Sequence, residues 1–220
     1  MTGKPRFTRA ERALIARLNT PSKVQRWLNA LRYNTEEHGE TQRSFRPVLQ
    51  LRMAHCMEAA LFAAVVLEQH GYPPLVMSLA SKDWLDHVIF IYRHASGWGS
   101  VARSRDPGLH GRKPRFKSPR HLAMSYYDSY VDYTGRLRGF GVVNLDEAMG
   151  GYDWRLTTRN VWAVEQMLID LPHKKIRSSD KRYRQLLKRY KEYRRTHDDR
   201  KPIYYRGRDK WEPIPQEFKR

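Results

Sequence analysis

From Ala59 to Leu67 every position is apolar, so this segment has no face suited to water. The flanking residues, His55-Cys56-Met57-Glu58 before it and Gln69-His70-Gly71 after it, frame a helix closed by a glycine. The run falls short of the roughly twenty residues of a membrane span, which predicts a buried core helix. Upstream, Thr8-Arg9-Ala10-Glu11 has capping-box spacing and predicts a helix through about Leu18, with Ala10, Leu14 and Leu18 on one stripe. Thr20-Pro21 is a second start, a cap followed by proline at the first helical position. Val24, Trp27, Leu28 and Leu31 supply its apolar face. Asn34 to Arg46 is polar and reads as a loop that leads through Pro47 to Gln50 into the apolar helix.

Beyond Gly71 the period changes. Leu75 to Ala80 reads as a strand, Asp86 to Arg93 as a central strand rich in β-branched and aromatic residues, and Trp98 to Ala102 as a third after the Ser96-Gly97 turn. A buried helix followed by an antiparallel meander predicts an α+β core. Arg103 to Pro119 is a long Gly/Pro/Arg-rich loop, a length that invites function in the loop itself. Ser118-Pro119 starts a helix bearing Leu122, Tyr126 and Tyr130, and Leu137 to Leu145 reads as a strand weakened by Gly139 and Gly141. Thr158 to Leu171 reads as a helix burying Val161, Trp162, Val164, Met167 and Leu168. Ser179-Asp180 opens a last helix, where Tyr183, Leu186, Leu187, Tyr190 and Tyr193 recur at helical spacing among eight Lys and Arg. Such a stripe docks on the body and leaves its charges in water. The tail from Arg200, with Pro202, Tyr204, Tyr205 and Trp211, reads as extended. The expected organisation is N-terminal helices over 1–46, a core over 47–170, and a basic helix and tail over 171–220.

Composition narrows the function classes. Forty-two Lys and Arg against 23 Asp and Glu give a net charge of +19 in 220 residues, an excess that attracts polyanions. A single cysteine excludes an intramolecular disulfide and a multi-cysteine zinc site. The chain has no His-Glu-x-x-His, no Cys-x-x-Cys and no phosphate-cradling glycine loop. His87 and His94, an odd offset apart, fall on opposite faces of a strand. The expectation is therefore that there is no metal and no cofactor. No basic-then-apolar leader follows Met1, and no apolar run approaches a span, so a reduced, cytoplasmic, soluble protein is expected.

The candidate chemistry lies in one ordered set. Cys56 begins the apolar helix, where the positive end of the macrodipole favours thiolate. His87 begins the central strand, and Asp106 follows the third. A cysteine nucleophile needs a base in hydrogen-bond reach, and the base needs a third group to fix its tautomer. Taken singly, each residue has an ordinary structural reading: a packed thiol, a strand-start histidine, a turn aspartate before proline. His55 is the rival base, but adjacent helix positions diverge, so it is expected to miss the sulfur of Cys56.

The stretches HCMEAALFAAVVLEQHGYPP, DHVIFIYR and GWGSVARSRDP resemble the transglutaminase-like superfamily of papain-fold cysteine enzymes. The likeness covers roughly Leu49 to Pro107, about a quarter of the chain. It implies a papain-like/transglutaminase-like core with nucleophile Cys56, base His87 and orienting acid Asp106. Ala54 and His55 stand where the family commonly has a glycine before its cysteine, and Asp106 lies eight residues after Trp98, farther than the family usually places it. Ser104 or another acceptor from the long loop is the alternative third member. Gln50 lies six residues before Cys56, the spacing of an oxyanion-hole glutamine in papain-type enzymes, and the Cys56 N–H is the nearest backbone donor. Trp84 and Trp98 are candidates to flank the site. The expected activity is attack on an amide or other acyl group through a thioester, by hydrolysis or transfer, on a protein, peptide or amide substrate. The alternative is an inactive binding module of the same fold, its basic surface taking nucleic acid or another polyanion weakly.

Overall fold

The structure is a computed structural model and describes residues 6–83 and 86–196. Trp84 and the tail from Arg200 lie outside the described residues. In chain order the elements are α1 (Arg9–Arg17), α2 (Pro21–Asn29), β1 (Arg32–Tyr33), α3 (Phe45–Leu51), β2 (Met53–Ala54), α4 (Cys56–Glu68), β3 (Leu75–Ser81), β4 (His87–His94) and β5 (Gly97–Val101). A 3-10 turn (Pro107–Leu109) then precedes β6 (Arg112–Phe116), α5 (Pro119–Met124), α6 (Tyr127–Tyr130), β7 (Leu137–Asn144), α7 (Leu145–Met149), α8 (Trp162–Ile169), β8 (Lys174–Lys175) and α9 (Asp180–Thr196). The fold is mixed α and β, built on a six-stranded antiparallel sheet in the order β6-β5-β4-β3-β7-β8.

The sheet separates two cores. Val76, Val88, Phe90, Tyr92 and Val101 point to one side, where α4 lies with α2, α3 and α8. Met77, Leu79, Ile89, Ile91 and Phe140 point to the other, against α5, α6 and α9. Helix α4 is buried on every side from Met57 to Leu67. Each fully buried Leu, Val or Phe contributes roughly 1.5–3 kcal/mol, so this one element anchors the larger core. It ends where Gly71 takes φ +82 and the Tyr72 N–H returns to the Leu67 carbonyl at 3.2 Å.

The N-terminal helices follow their caps. Thr8 accepts from Glu11 N at 3.2 Å while Glu11 Oε2 accepts from Thr8 N at 2.6 Å, and Thr20 accepts from Lys23 N. Gln25 on α2 is fully buried and pairs with Ala102 as a strand would, donating to its carbonyl at 2.8 Å and accepting from its N–H at 2.9 Å. The backbone leaving β5 is thereby pinned to α2.

Several expectations are corrected. The lead-in at Arg46 to Gln50 is itself helical, since Pro47 falls within the first turn of α3, where a missing N–H costs nothing. The long loop contains β6, an edge strand on which Pro114 is tolerated. Tyr126 and Tyr130 lie beyond the end of α5, with a break before α6. Helix α8 is shorter than expected and Trp162 is 43% exposed, because the apolar stripe of this segment runs through Val161, Val164 and Leu168 instead. The glycines of β7 are there for close approach. A Cβ on Gly141 would lie 2.6 Å from Leu171 Cδ2, and one on Gly139 would lie 3.2 Å from the Lys174 carbonyl. Among the described residues no helix is long and apolar enough to cross a membrane.

Candidate active site

Cys56 is the first residue of α4 and His55 is its N-cap. A two-residue parallel ladder leads into them: Tyr33 pairs with Ala54, and the Asn34 N–H donates to the Ala54 carbonyl at 3.3 Å. Beneath the start of the helix sits Glu58, with no exposed surface. Its carboxylate accepts from His55 N at 3.0 Å, Arg43 N at 3.2 Å, Thr41 Oγ1 at 2.9 Å and Asn34 Nδ2 at 3.1 and 3.2 Å. A buried carboxylate persists only with such compensation. The polar segment after β1 is thereby fastened to α4.

His87 opens β4 and is 4% exposed. Alternation along the strand puts it on the face of Ile89 and Ile91, opposite the face that carries α4. His87 is paired with Leu79 of β3, and Cys56 and His87 are each the first residue of their elements. His55 and His87 are the two groups whose hydrogen bonding and charge act on the Cys56 thiol. His87 Nε2 is 2.8 Å from the Leu109 carbonyl, an acceptor, so Nε2 carries the proton and Nδ1 is the nitrogen left for the sulfur. The Tyr126 ring packs edge-on against the imidazole, centroids 6.2 Å apart.

The electrostatics favour thiolate. Burial pushes the Cys56 thiol up, and the hydrogen bonds and charges of His55 and His87 outweigh it, holding the thiol well below its usual range. For His55 burial favours the neutral ring, but hydrogen bonding to Cys56, its charge, Glu58 and the Thr41 carbonyl raise its pKa to about 9. Geometry adds a condition. His55 Nε2 is 2.8 Å from the Thr41 carbonyl, and Nδ1 accepts from Met57 N at 3.2 Å. That second bond needs a lone pair, so it belongs to the neutral ring, and the charged ring, with a proton on Nδ1, gives it up. Tyr33 is held in its protonated form, by burial first and then by the charge of Cys56. Among the described residues no acceptor meets the Cys56 N–H, which stands at the positive end of α4.

Asp106 precedes the 3-10 turn, and its backbone carbonyl accepts from Leu109 N at 3.1 Å, closing the turn that presents the Leu109 carbonyl to His87. Its carboxylate acts on the same tyrosines, Tyr33 and Tyr130, that feel the Cys56 charge. Ser104 Oγ accepts from Asp106 N at 3.0 Å. Gln50 lies in the last turn of α3 with its side chain exposed. Trp98 pairs with Arg93, far along β4 from His87, and so does not flank the site. The expectation that His55 misses the sulfur is corrected: as the cap its ring folds over the first turn instead of radiating from the helix. Sequence reasoning also missed Glu58, although a histidine followed three residues later by glutamate has the capping-box spacing with an unusual cap. The Leu109 carbonyl has no side-chain signature at all. Among the described residues no group of three or more His, Cys, Asp or Glu side chains is arranged to hold a metal ion.

No family model matches the chain, and neither does any curated protein. Among solved structures, it shows a distant likeness to LapG of Legionella pneumophila, with 13% sequence identity and a TM-score of 0.41, over 70% of this chain and 84% of that one.

Proposed function

We propose that this protein is a cysteine enzyme of the transglutaminase-like, papain-fold type, acting on an amide or other acyl group. The observation that carries the reading is the convergence of two imidazoles on the thiol of Cys56 at the start of a buried helix. The thiolate attacks the acyl carbon, and the oxyanion that forms is met by the Cys56 N–H. Collapse of the tetrahedral intermediate breaks the bond to the leaving amine, which takes a proton from His87 Nδ1, and a thioester remains on Cys56. Water or a second amine then attacks the thioester and gives a proton to Nδ1. Release of the acid or the new amide restores the thiolate–imidazolium pair. Asp106 is assigned a supporting part, closing the turn behind His87, and Gln50 is a second oxyanion donor only if its exposed side chain turns toward the helix start.

Because Cys56 is the only cysteine in the chain, its alkylation by iodoacetamide reads the site directly. The rate is expected to stay high well below pH 8.5, the midpoint of an ordinary thiol. A profile that follows an ordinary thiol, or labelling only after unfolding, sinks the assignment.

A second reading attaches to α9. Exposed Arg184, Lys188, Lys191 and Arg195 line one groove about Leu187 together with a single acid, Glu192, 3.9 Å from Lys188 Nζ. That cationic stripe supports polyanion binding, alongside catalysis or without it.

A further inference from the structure

Arg112 has no exposed surface, and its side chain is spent on the loop behind the candidate base. Nη2 donates to the Gly108 carbonyl and Nη1 to the His110 carbonyl, each at 2.6 Å. Nε donates to Ser125 Oγ at 3.2 Å, and the guanidinium lies over the Tyr126 ring, 4.0 Å from its centroid. Tyr126 reinforces the hold, because its hydroxyl donates to the same His110 carbonyl at 3.1 Å and lies 2.7 Å from Ser100 Oγ. Ser100 Oγ in turn accepts from the Arg112 N–H at 2.9 Å.

The carbonyls gripped by Arg112 and Tyr126 are those on either side of Leu109. Those carbonyls belong to the peptide units on either side of the Leu109–His110 unit, so both ends of that planar unit are held and its carbonyl keeps one freedom, rotation about the line joining the Leu109 and His110 Cα atoms. That carbonyl is the one 2.8 Å from His87 Nε2. We propose that Arg112 is a positioning residue for His87: by holding the Gly108 and His110 carbonyls it aims the Leu109 carbonyl at Nε2, which keeps Nδ1 for Cys56. The inference rests on the cysteine-enzyme reading for its catalytic meaning, though the clamp itself does not. It also gives a reason for arginine at this place. A planar fork reaches two carbonyls and a hydroxyl at once, and a lysine ammonium on one stem does not.

The test compares wild type, R112K and Y126F by two readouts, the ring 15N shifts of His87 and the pH profile of Cys56 alkylation. Tautomers are read after Cys56 is carboxamidomethylated, so that no thiolate holds the ring charged, and the neutral His87 ring is then expected as the Nε2–H tautomer in the wild-type background. R112K is expected to mix the tautomers and to slow alkylation at neutral pH by roughly ten- to a hundredfold, the range for lost supporting contacts. Y126F is expected to move both in the same direction by less. A variant that merely loosens the fold lowers the melting temperature but leaves the tautomer of the folded protein alone. Wild-type tautomer and profile in folded R112K overturn the proposal, and if R112K does not fold, the same outcome in Y126F overturns it. An ordinary-thiol profile in wild type defeats the enzyme reading instead, while loss of the Nε2–H tautomer in R112K still upholds the clamp.

Discussion

His55 Nδ1 accepts the Met57 amide proton at 3.2 Å, so the residue that caps α4 is also the one whose ring overhangs the candidate nucleophile. Capping and charge can be separated by substitution. Asparagine is a strong N-cap but carries no ionisable proton and no positive charge to set against the sulfur. His55→Asn is expected to keep the cap while moving the alkylation midpoint of Cys56 upward, with stability below wild type at neutral pH and approaching it above pH 9, where the wild-type ring is neutral. His55→Ala is expected to lose about 0.5–2 kcal/mol of stability as well, read by urea denaturation. Equal alkylation profiles in wild type and His55→Asn would remove His55 from the chemistry.

The coupling is reciprocal. The His55 midpoint stands at about 9, raised chiefly by its hydrogen bond to Cys56 against the pull of burial. Because the folded value lies above the unfolded one, the stability this group contributes is fully present below about pH 6.5. It is lost as pH rises through 9. Cys56→Ala removes the leading cause of the rise, so the His55 ring-proton titration followed by NMR is expected to fall toward the ordinary histidine range. An unmoved midpoint would assign the rise to Glu58 and Thr41 instead.

Glu58→Gln keeps the shape of the side chain but replaces one acceptor oxygen with a donor, inside a shell of four donor groups. Losing even one charge-assisted bond there costs roughly 1.5–3 kcal/mol. The expected outcome is a lower urea midpoint together with loosening of Asn34 to Arg43, visible as faster amide exchange. Exchange that speeds up evenly over the chain would show that Glu58 does not specifically hold this segment.

Gly141→Ala tests the packing of β7. The added methyl would lie 2.6 Å from Leu171 Cδ2, and overpacking of this kind costs roughly 1–3 kcal/mol. The Cys56 alkylation profile of the folded variant is expected to stay unchanged, because β3 separates β7 from β4, which carries His87, and both β3 and β4 separate it from β5 and its loop. A shifted profile would mean the site feels the far side of the sheet.

Charge reversal on α9, K188E with K191E, is expected to weaken retention of nucleic acid in a filter assay at low salt. Retention is also expected to decline with added salt in wild type. Retention that ignores salt in wild type would remove the electrostatic reading of this helix.

What the sequence made legible follows from which groups leave a pattern. Thr8, Thr20 and the apolar run after Glu58 announce their helices because capping and burial act on neighbouring residues. The three strands from Leu75 to Val101 show their β-branched runs for the same reason. Long-range requirements were hidden. Gly141 looked like a weakness in a strand because Leu171, which needs the space, comes thirty residues later in the chain. Trp162 looked buried because a periodic segment does not reveal which side of it faces the core. The pairing of β6 depends on Ser100 and Trp98 across the sheet, and nothing within Arg112 to Phe116 announces it. Cys56 and His87 were legible as residue types in order, whereas the group behind His87 is a backbone carbonyl, which every residue has.

The buried Glu58 carries a further consequence for the life of the chain. Its partners come from three places, Asn34 just after β1, the polar stretch that follows, and the cap of α4, and His87, which acts on the thiol, arrives later still from β4. On a ribosome, or after unfolding, Cys56 is an ordinary thiol with ordinary reactivity. The environment that acts on the thiol is thus made by assembly of the fold, and the appearance of fast alkylation during refolding would time the moment at which these distant segments come together.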